Sequence, residues 1–174
     1  MTITSSAFRH EEIIPSSYTC DGDNVNPPLT FSDIPKDAAG LALIIDDPDA
    51  PAGLFTHWML YDMSPATLQI LENSIPKTGL QGKNDFGNQN YDGPCPPDGK
   101  HRYYVTLFAL KSPTKLEKGA TRQQLDNALE GNVLEKAVFM GYYEKPNNTS
   151  LPDGNNLDNY TDDRNTTDGQ VIGA

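Results

Sequence analysis

Cysteine, tryptophan and histidine are scarce here: two, one and three copies in 174 residues. Two cysteines without further Cys/His clustering do not make a zinc site. Positive charge is also thin, with 13 Lys and Arg against 24 Asp and Glu and a formal net charge of -11. That balance argues against nucleic-acid binding and against adhesion to anionic membranes. No apolar run approaches the ~18 residues of a transmembrane helix. The segment Met1 to Glu12 lacks the apolar core of a signal peptide, so the cytosol is the expected compartment. Walker-type and dinucleotide-binding glycine motifs, a Gly-x-Ser-x-Gly elbow and a His-x-x-x-His pair are all absent. No cofactor is expected.

What the chain does contain is a set of short apolar runs separated by Gly, Pro, Asn and Asp, with fourteen prolines and fourteen glycines in total. The pattern predicts a single, loop-rich, mainly β domain over residues 1–145, long enough to bury a real core. Leu41–Ile45, His57–Met63, Tyr103–Leu110 and Ala137–Tyr143 read as strands, with weaker candidates at Leu29–Phe31 and around Ile13-Ile14. One helix is expected after Thr121. Thr121 and Gln124 have capping-box spacing, Leu125, Ala128 and Leu129 form one apolar face, and Gly131 ends the run. Val133–Lys136 reads as a second short turn. From Pro146 to Ala174 the chain is rich in Asn, Asp, Thr and Gly. That composition predicts a loosely docked tail, because too little apolar surface is available to offset its ordering entropy. Four Asn-x-Ser/Thr triplets begin there, at Asn147, Asn148, Asn159 and Asn165. They fit N-glycosylation of an exported protein, and equally the chance yield of an Asn- and Thr-rich segment, which is the favoured reading.

Two stretches are chemically dense. The first is Ile45-Asp46-Asp47-Pro48-Asp49-Ala50-Pro51, followed by His57-Trp58; the second runs from Gly93-Pro94-Cys95 to His101-Arg102-Tyr103. A single Asp-Pro pair at a strand end is ordinarily a turn. Two of three histidines in matched loop–strand contexts suggest more, since a carboxylate such as Asp47 or Asp49 can orient an imidazole and raise its pKa. Turn amides at Gly93-Pro94 could face a ligand oxygen, and Tyr103 could add a hydroxyl. The assembled groups suit a small oxyanion or phosphomonoester. Metal ligation by Asp47, Asp49, His57 and His101 is the weaker alternative. Arg102 falls on the opposite strand face from His101. It is expected to form a structural ion pair, with Asp46, Asp62 and Asp85 as candidate partners. Cys20 and Cys95 both lie in Gly/Pro/Asp-rich loops. Free thiols fit a mesophile's cytosol and a disulfide fits an exported or hyperthermophile protein, and the sequence leaves both open.

These residues resemble the phosphatidylethanolamine-binding protein family, also called the Raf kinase inhibitor-like family, and within it the bacterial and archaeal YbhB/YbcL-like branch. The likeness covers most of the body. It is carried by Tyr18-Thr19-Cys20-Asp21-Gly22, Asn26-Pro27-Pro28-Leu29, Asp46-Asp47-Pro48-Asp49-Ala50-Pro51, Thr56-His57-Trp58, Asn84-Asp85-Phe86-Gly87, the Gly93–Tyr103 segment and Gly141-Tyr142-Tyr143. The resemblance implies an antiparallel β-sandwich with one or two short helices and long loops. It also implies a non-enzymatic anion pocket built from Asp47, His57, Gly93, Pro94, His101 and Tyr103, with Asp49 at its rim. Phe55 falls where many members carry Trp, and Asp92 where many carry Gly, which would add a negative charge at the pocket mouth. The family's functions diverge, so three roles are implied: binding a small phosphorylated ligand, inhibiting a serine protease or kinase through surface loops, or, less favoured, hydrolysis.

Overall fold

The computed structural model describes residues 1–146; the rest of the polar tail, with its four Asn-x-Ser/Thr triplets, lies outside the described residues. Among the described residues, nine strands form two sheets. Strands β1 (Thr2–Thr4), β3 (Leu29–Ser32) and β6 (Gln69–Ile70) make a small antiparallel sheet in the order β1-β3-β6. The larger sheet contains β2 (Glu12–Ile13), β4 (Gly40–Asp47), β5 (Phe55–Met63), β7 (Leu80–Gln81), β8 (Lys100–Leu110) and β9 (Val133–Glu144). Its order is β2-β9-β8-β4-β5-β7, antiparallel throughout except for the β2–β9 pair.

The unbroken apolar run of β4 has a direct cause. Leu41, Leu43 and Ile45 point between the sheets, where they meet Leu29, Phe31 and Ile70 of the small sheet and Trp58, Val105 and Leu107 of the large one. Ala42 and Ile44 point the other way, under the helix α1 (Arg122–Leu129), with Met59, Tyr61 and Leu110. A strand buried on both faces has no polar positions to alternate with. Helix α1 begins as its sequence predicts: Thr121 accepts the Gln124 N–H, the Gln124 side chain accepts the Thr121 N–H, and Leu125 and Leu129 are buried. Each buried leucine contributes ~1.5–3 kcal/mol, which an eight-residue helix needs because it would not persist alone.

One expectation is corrected, and the state of the cysteines, open in the sequence, is resolved. Val133–Lys136 is not a separate turn but the start of β9, where Val133 pairs with Leu110 and Lys136 with Phe108. The polar alternation in that stretch reflects an exposed strand margin. The two cysteines form a disulfide, with Cα atoms 5.4 Å apart and a separation of 75 positions in sequence. Closing a loop of that length contributes ~4 kcal/mol on a chain-entropy model. Among the described residues, no helix is long and apolar enough to cross a membrane.

Candidate functional site

The site forms where β4, β5 and β8 end together. The strand register first separates adjacent residues. Asp46 and Asp47 follow each other on β4, so their side chains leave opposite faces of the sheet. Asp47 turns inward, and its Oδ2 lies 2.7 Å from His101 Nδ1, while its Oδ1 accepts the Asp49 backbone N–H at 2.8 Å. Asp46 turns outward to Arg122 of α1 and to Thr56. Burial pushes the Asp46 carboxyl upward, opposing the downward pull of Arg122 and Thr56.

On β5 the alternation is broken on purpose of packing. Ile45 pairs with Trp58 but Asp46 pairs with Thr56, which leaves His57 as the extra residue of a β-bulge. The consequence is that His57 and Trp58, though consecutive, both serve the inner side. Trp58 packs on Tyr91, and the His57 ring lies 5.3 Å from that of Tyr103. Bulges often re-aim a side chain beside a functional site, and this one adds an imidazole that a regular strand would send toward α1. His57 Nδ1 then lies 2.7 Å from the Asp92 carbonyl oxygen. That acceptor requires a proton on Nδ1, so the neutral ring presents Nε2 as a lone pair. Burial holds the His57 pKa below its ordinary value, against the raising effect of the Asp92 carbonyl.

The resulting cavity of about 170 Å³ is lined by Asp47, His57 and His101, by the aromatic rings of Phe55 and Phe86, and by loop residues including Pro51 and Cys95. Asp47, His57 and His101 are 3%, 3% and 6% exposed. Both imidazoles engage Nδ1 within the protein and leave Nε2 without a partner among the described residues. Phe55 and Phe86 stack edge to face at 4.8 Å, and each ring also lies against His57, at 5.2 and 5.5 Å. Tyr103 is fully buried beside this group, and its hydroxyl has no hydrogen-bond partner among the described residues. Burial, and next the Asp47 charge, push the Tyr103 phenol strongly upward, so it remains a protonated donor.

The other expected site residues take structural roles. The Gly93 N–H donates to Asn24 Oδ1 at 2.8 Å and is not open to a ligand. Glycine is required there for another reason: a Cβ at this position would sit 2.2 Å from the Tyr18 carbonyl oxygen. The Pro94 carbonyl accepts the Cys20 N–H at 3.1 Å, and the disulfide follows at the next residue. Gly93 and Pro94 therefore fasten the second loop to the Tyr18–Asn24 loop instead of contacting the cavity. Asp49 faces away. Its carboxylate accepts the Arg102 backbone N–H, Nε–H and Nη2–H at 2.9, 2.8 and 2.6 Å. This makes Asp49 the partner of Arg102, in place of Asp46, Asp62 or Asp85. Arg102 holds the Asp49 carboxyl down to about 2. The three alternatives are engaged elsewhere: Asp46 with Arg122, Asp62 with Thr114 and Asp85 with the Thr56 N–H. The Asp92 carboxylate is not part of the cavity lining and accepts from Asn84 and Asn88 at 2.7 and 3.0 Å, but its charge still acts on the His57 imidazole. Phe86 was not singled out in the sequence as a wall of the site. Its signal in the sequence is its place in the Asn84-Asp85-Phe86-Gly87 motif that carries the resemblance.

Among the described residues, no group of three or more His, Cys, Asp or Glu is placed to hold a metal ion. The lining side chains also include no serine, threonine or free thiol.

Comparison with known proteins extends over the same region. A family model described as phosphatidylethanolamine-binding protein matches residues 4–144. A UPF0098 protein of Methanothermobacter thermautotrophicus is 43% identical, covering 83% of this chain and 99% of the relative. One from Chlamydia muridarum is 45% identical with the same coverage. Among solved structures, a phosphatidylethanolamine-binding protein homologue from Chlamydia trachomatis superposes with a TM-score of 0.80 at 41% identity, covering 83% of this chain and 97% of that one. Escherichia coli YbcL, described as a member of the mammalian family, gives 0.78 at 26% identity, covering 83% and 98%. With a β-sandwich, a family model spanning nearly the whole described region and relatives matched end to end, this chain belongs to the phosphatidylethanolamine-binding protein family.

Proposed function

We propose that this protein is a non-enzymatic binding protein whose Asp47–His57–His101 cavity holds a small anion, a phosphate or phosphomonoester group. Family membership supports a ligand-binding protein in the coarser sense. The observation that carries the finer reading is the pair of buried imidazoles with Nδ1 engaged and Nε2 unengaged in one cavity. An anion at His101 Nε2 draws a proton onto the ring, and Asp47 stabilises the imidazolium that results. Tyr103 stands behind the lining and supports the two imidazoles by ring contact. His57, kept neutral by burial, accepts the P–OH proton of a monoanion or takes up a proton of its own. Phe55, Phe86 and Pro51 exclude water from the rim and strengthen these charged hydrogen bonds.

Size narrows the ligand. About 170 Å³ is well below the ~300–1,000 Å³ of typical small-molecule pockets. That suits a phosphate or a headgroup, not a lipid's acyl chains. The lining supplies no serine, threonine or free thiol, and its Asp47 carboxylate is engaged by His101, which supports binding over turnover through those groups.

Calorimetric titration tests the reading. Inorganic phosphate and phosphoethanolamine are each titrated into the wild type and into His101→Ala. Saturable heat in the wild type, reduced at least ~30-fold in affinity by the substitution, is expected. Tighter binding of phosphoethanolamine would favour a headgroup; equal binding would favour free phosphate. No heat from either ligand, or equal heat from the variant, would remove the proposal. Turnover of p-nitrophenyl phosphate that is lost in His101→Ala would contradict the non-enzymatic part.

A further inference from the structure

A second cavity of about 320 Å³ opens on the same loops, under different chemistry. It lies over Trp58 of β5 and Gln81 of β7, and is closed by Asn24, Asn73, Asn90 and Tyr91. None of its lining residues carries a charge, in a chain with 37 Lys, Arg, Asp and Glu (13 and 24). Among the described residues its Asn26 amide and its Ser74 and Tyr91 hydroxyls are engaged within the protein, whereas four other amides are engaged in part or not at all. Asn24 Oδ1 accepts the Gly93 N–H and leaves Nδ2 open. Gln81 Oε1 accepts the Trp58 indole N–H at 2.8 Å and leaves Nε2 open. Asn90 Nδ2 donates to the Tyr91 carbonyl and, at 3.5 Å, to Asp92 Oδ1, and leaves its own Oδ1 open. Asn73 donates its backbone N–H to the Asn26 carbonyl, and its side-chain amide has no partner among the described residues. Val25 and Ile75 supply apolar surface between these groups.

We propose that this cavity binds a neutral polyhydroxylated ligand, a monosaccharide or cyclic polyol. The half-engaged amides present open donors at Asn24, Gln81 and Asn73 and open acceptors at Asn90 and Asn73. A hydroxyl, which both donates and accepts, satisfies either kind. Val25 and Ile75 match the C–H face of such a ring. A charged ligand would lose its hydration with no opposite charge to meet it. A purely apolar ligand would leave the amides unpaired. An extended peptide finds no free strand edge, because the Gln81 carbonyl already accepts the Gly119 N–H at 2.8 Å. This site is independent of the anion cavity, although Asn24 and the Asn90–Gly93 segment connect the two.

Trp58 is the only tryptophan, so its indole N–H gives one resonance that reports on the cavity through Gln81. A panel of free glucose, galactose, mannose, ribose and myo-inositol is titrated while that resonance is followed by ¹H–¹⁵N NMR. At least one member is expected to shift it saturably, with a Kd on the order of millimolar for so small a ligand. Asn73→Gly removes the amide but keeps the positive φ of 49° at this exposed turn. It should weaken the response at least fivefold. His101→Ala should leave the response unchanged, which separates this proposal from the anion site. The proposal is overturned if no member of the panel shifts the resonance saturably, if Asn73→Gly leaves the response intact, or if N-methylacetamide produces the larger shift.

Discussion

Asp46 and Asp47 are neighbours on one strand, and comparing the two faces they occupy explains most of the site. On the outer face, carboxylates meet guanidiniums: Asp46 meets Arg122, and Asp49 meets Arg102 through three hydrogen bonds. These groups are satisfied and have nothing left to offer a ligand. On the inner face the carboxylate of Asp47 meets an imidazole, which has a second nitrogen. An arginine partner ends a chain of interactions, whereas a histidine partner passes it on. The same residue type is therefore satisfied on one face and cavity-facing on the other; strand alternation decides this for Asp46 and Asp47, while Asp49, beyond the end of β4, is turned away by its loop.

The comparison breaks most severely if the inner carboxylate loses its charge. Asp47→Asn should lower phosphate affinity by at least ~30-fold while the circular dichroism spectrum is retained. Stability retained with affinity retained would place Asp47 among the structural carboxylates. The outer face should respond in the opposite way. Arg122→Met leaves Asp46 partly buried without its cation and should cost roughly 2–4 kcal/mol in urea unfolding, with phosphate affinity changed less than twofold. Adding Asp46→Leu should recover most of that loss, since a buried pair is replaceable where a buried lone charge is not.

His57 sharpens the contrast through pH. Burial lowers its folded-state pKa below the ordinary 6.5. Between that lowered value and 6.5 the unfolded chain binds more protons, so stability rises with pH there. Relative to His57→Gln, the wild type should lose stability as pH falls through 6.5, with the full loss reached below the folded-state pKa. Denaturant midpoints measured across that range check the sign. The smallest effect belongs to Arg102, which is largely exposed. Its pairing lowers the Asp49 carboxyl from 3.8 to about 2. The advantage of wild type over Arg102→Ala should be fully present above pH 3.8 and disappear as pH falls through about 2. An exposed pair is screened, so that difference should shrink further in salt.

The elements legible in the sequence are those whose own residues dictate them. Leu41–Ile45 is apolar on both faces because both faces are covered, and Thr121 with Gln124 carries both arms of its capping box. Strands β1, β6 and β7 were not read, because two or three residues hold no period and are placed by the strands they pair with. The structure brings Asp47, His57 and His101 together, with Tyr103 beside them, from two motifs visible in the chain. What the chain conceals is direction. Asp49 looks equivalent to Asp47 until the Arg102 N–H, Nε and Nη2 converge on it. Gly93 looks like an oxyanion turn until Asn24 takes its amide. The bulge at His57 depends on a register slip between strands, which no local pattern announces.

The central claim is that the free Nε2 atoms of His57 and His101 are the groups that meet the anion. Long-range ¹H–¹⁵N NMR of the imidazoles during phosphate titration tests it directly. His10 is an internal control, because it lies outside the cavity and its Nδ1 accepts the Met140 N–H at 3.1 Å. The account predicts saturable shifts of Nε2 in His57 and His101, with His10 unmoved. Equal movement of all three rings, or of none, would contradict it.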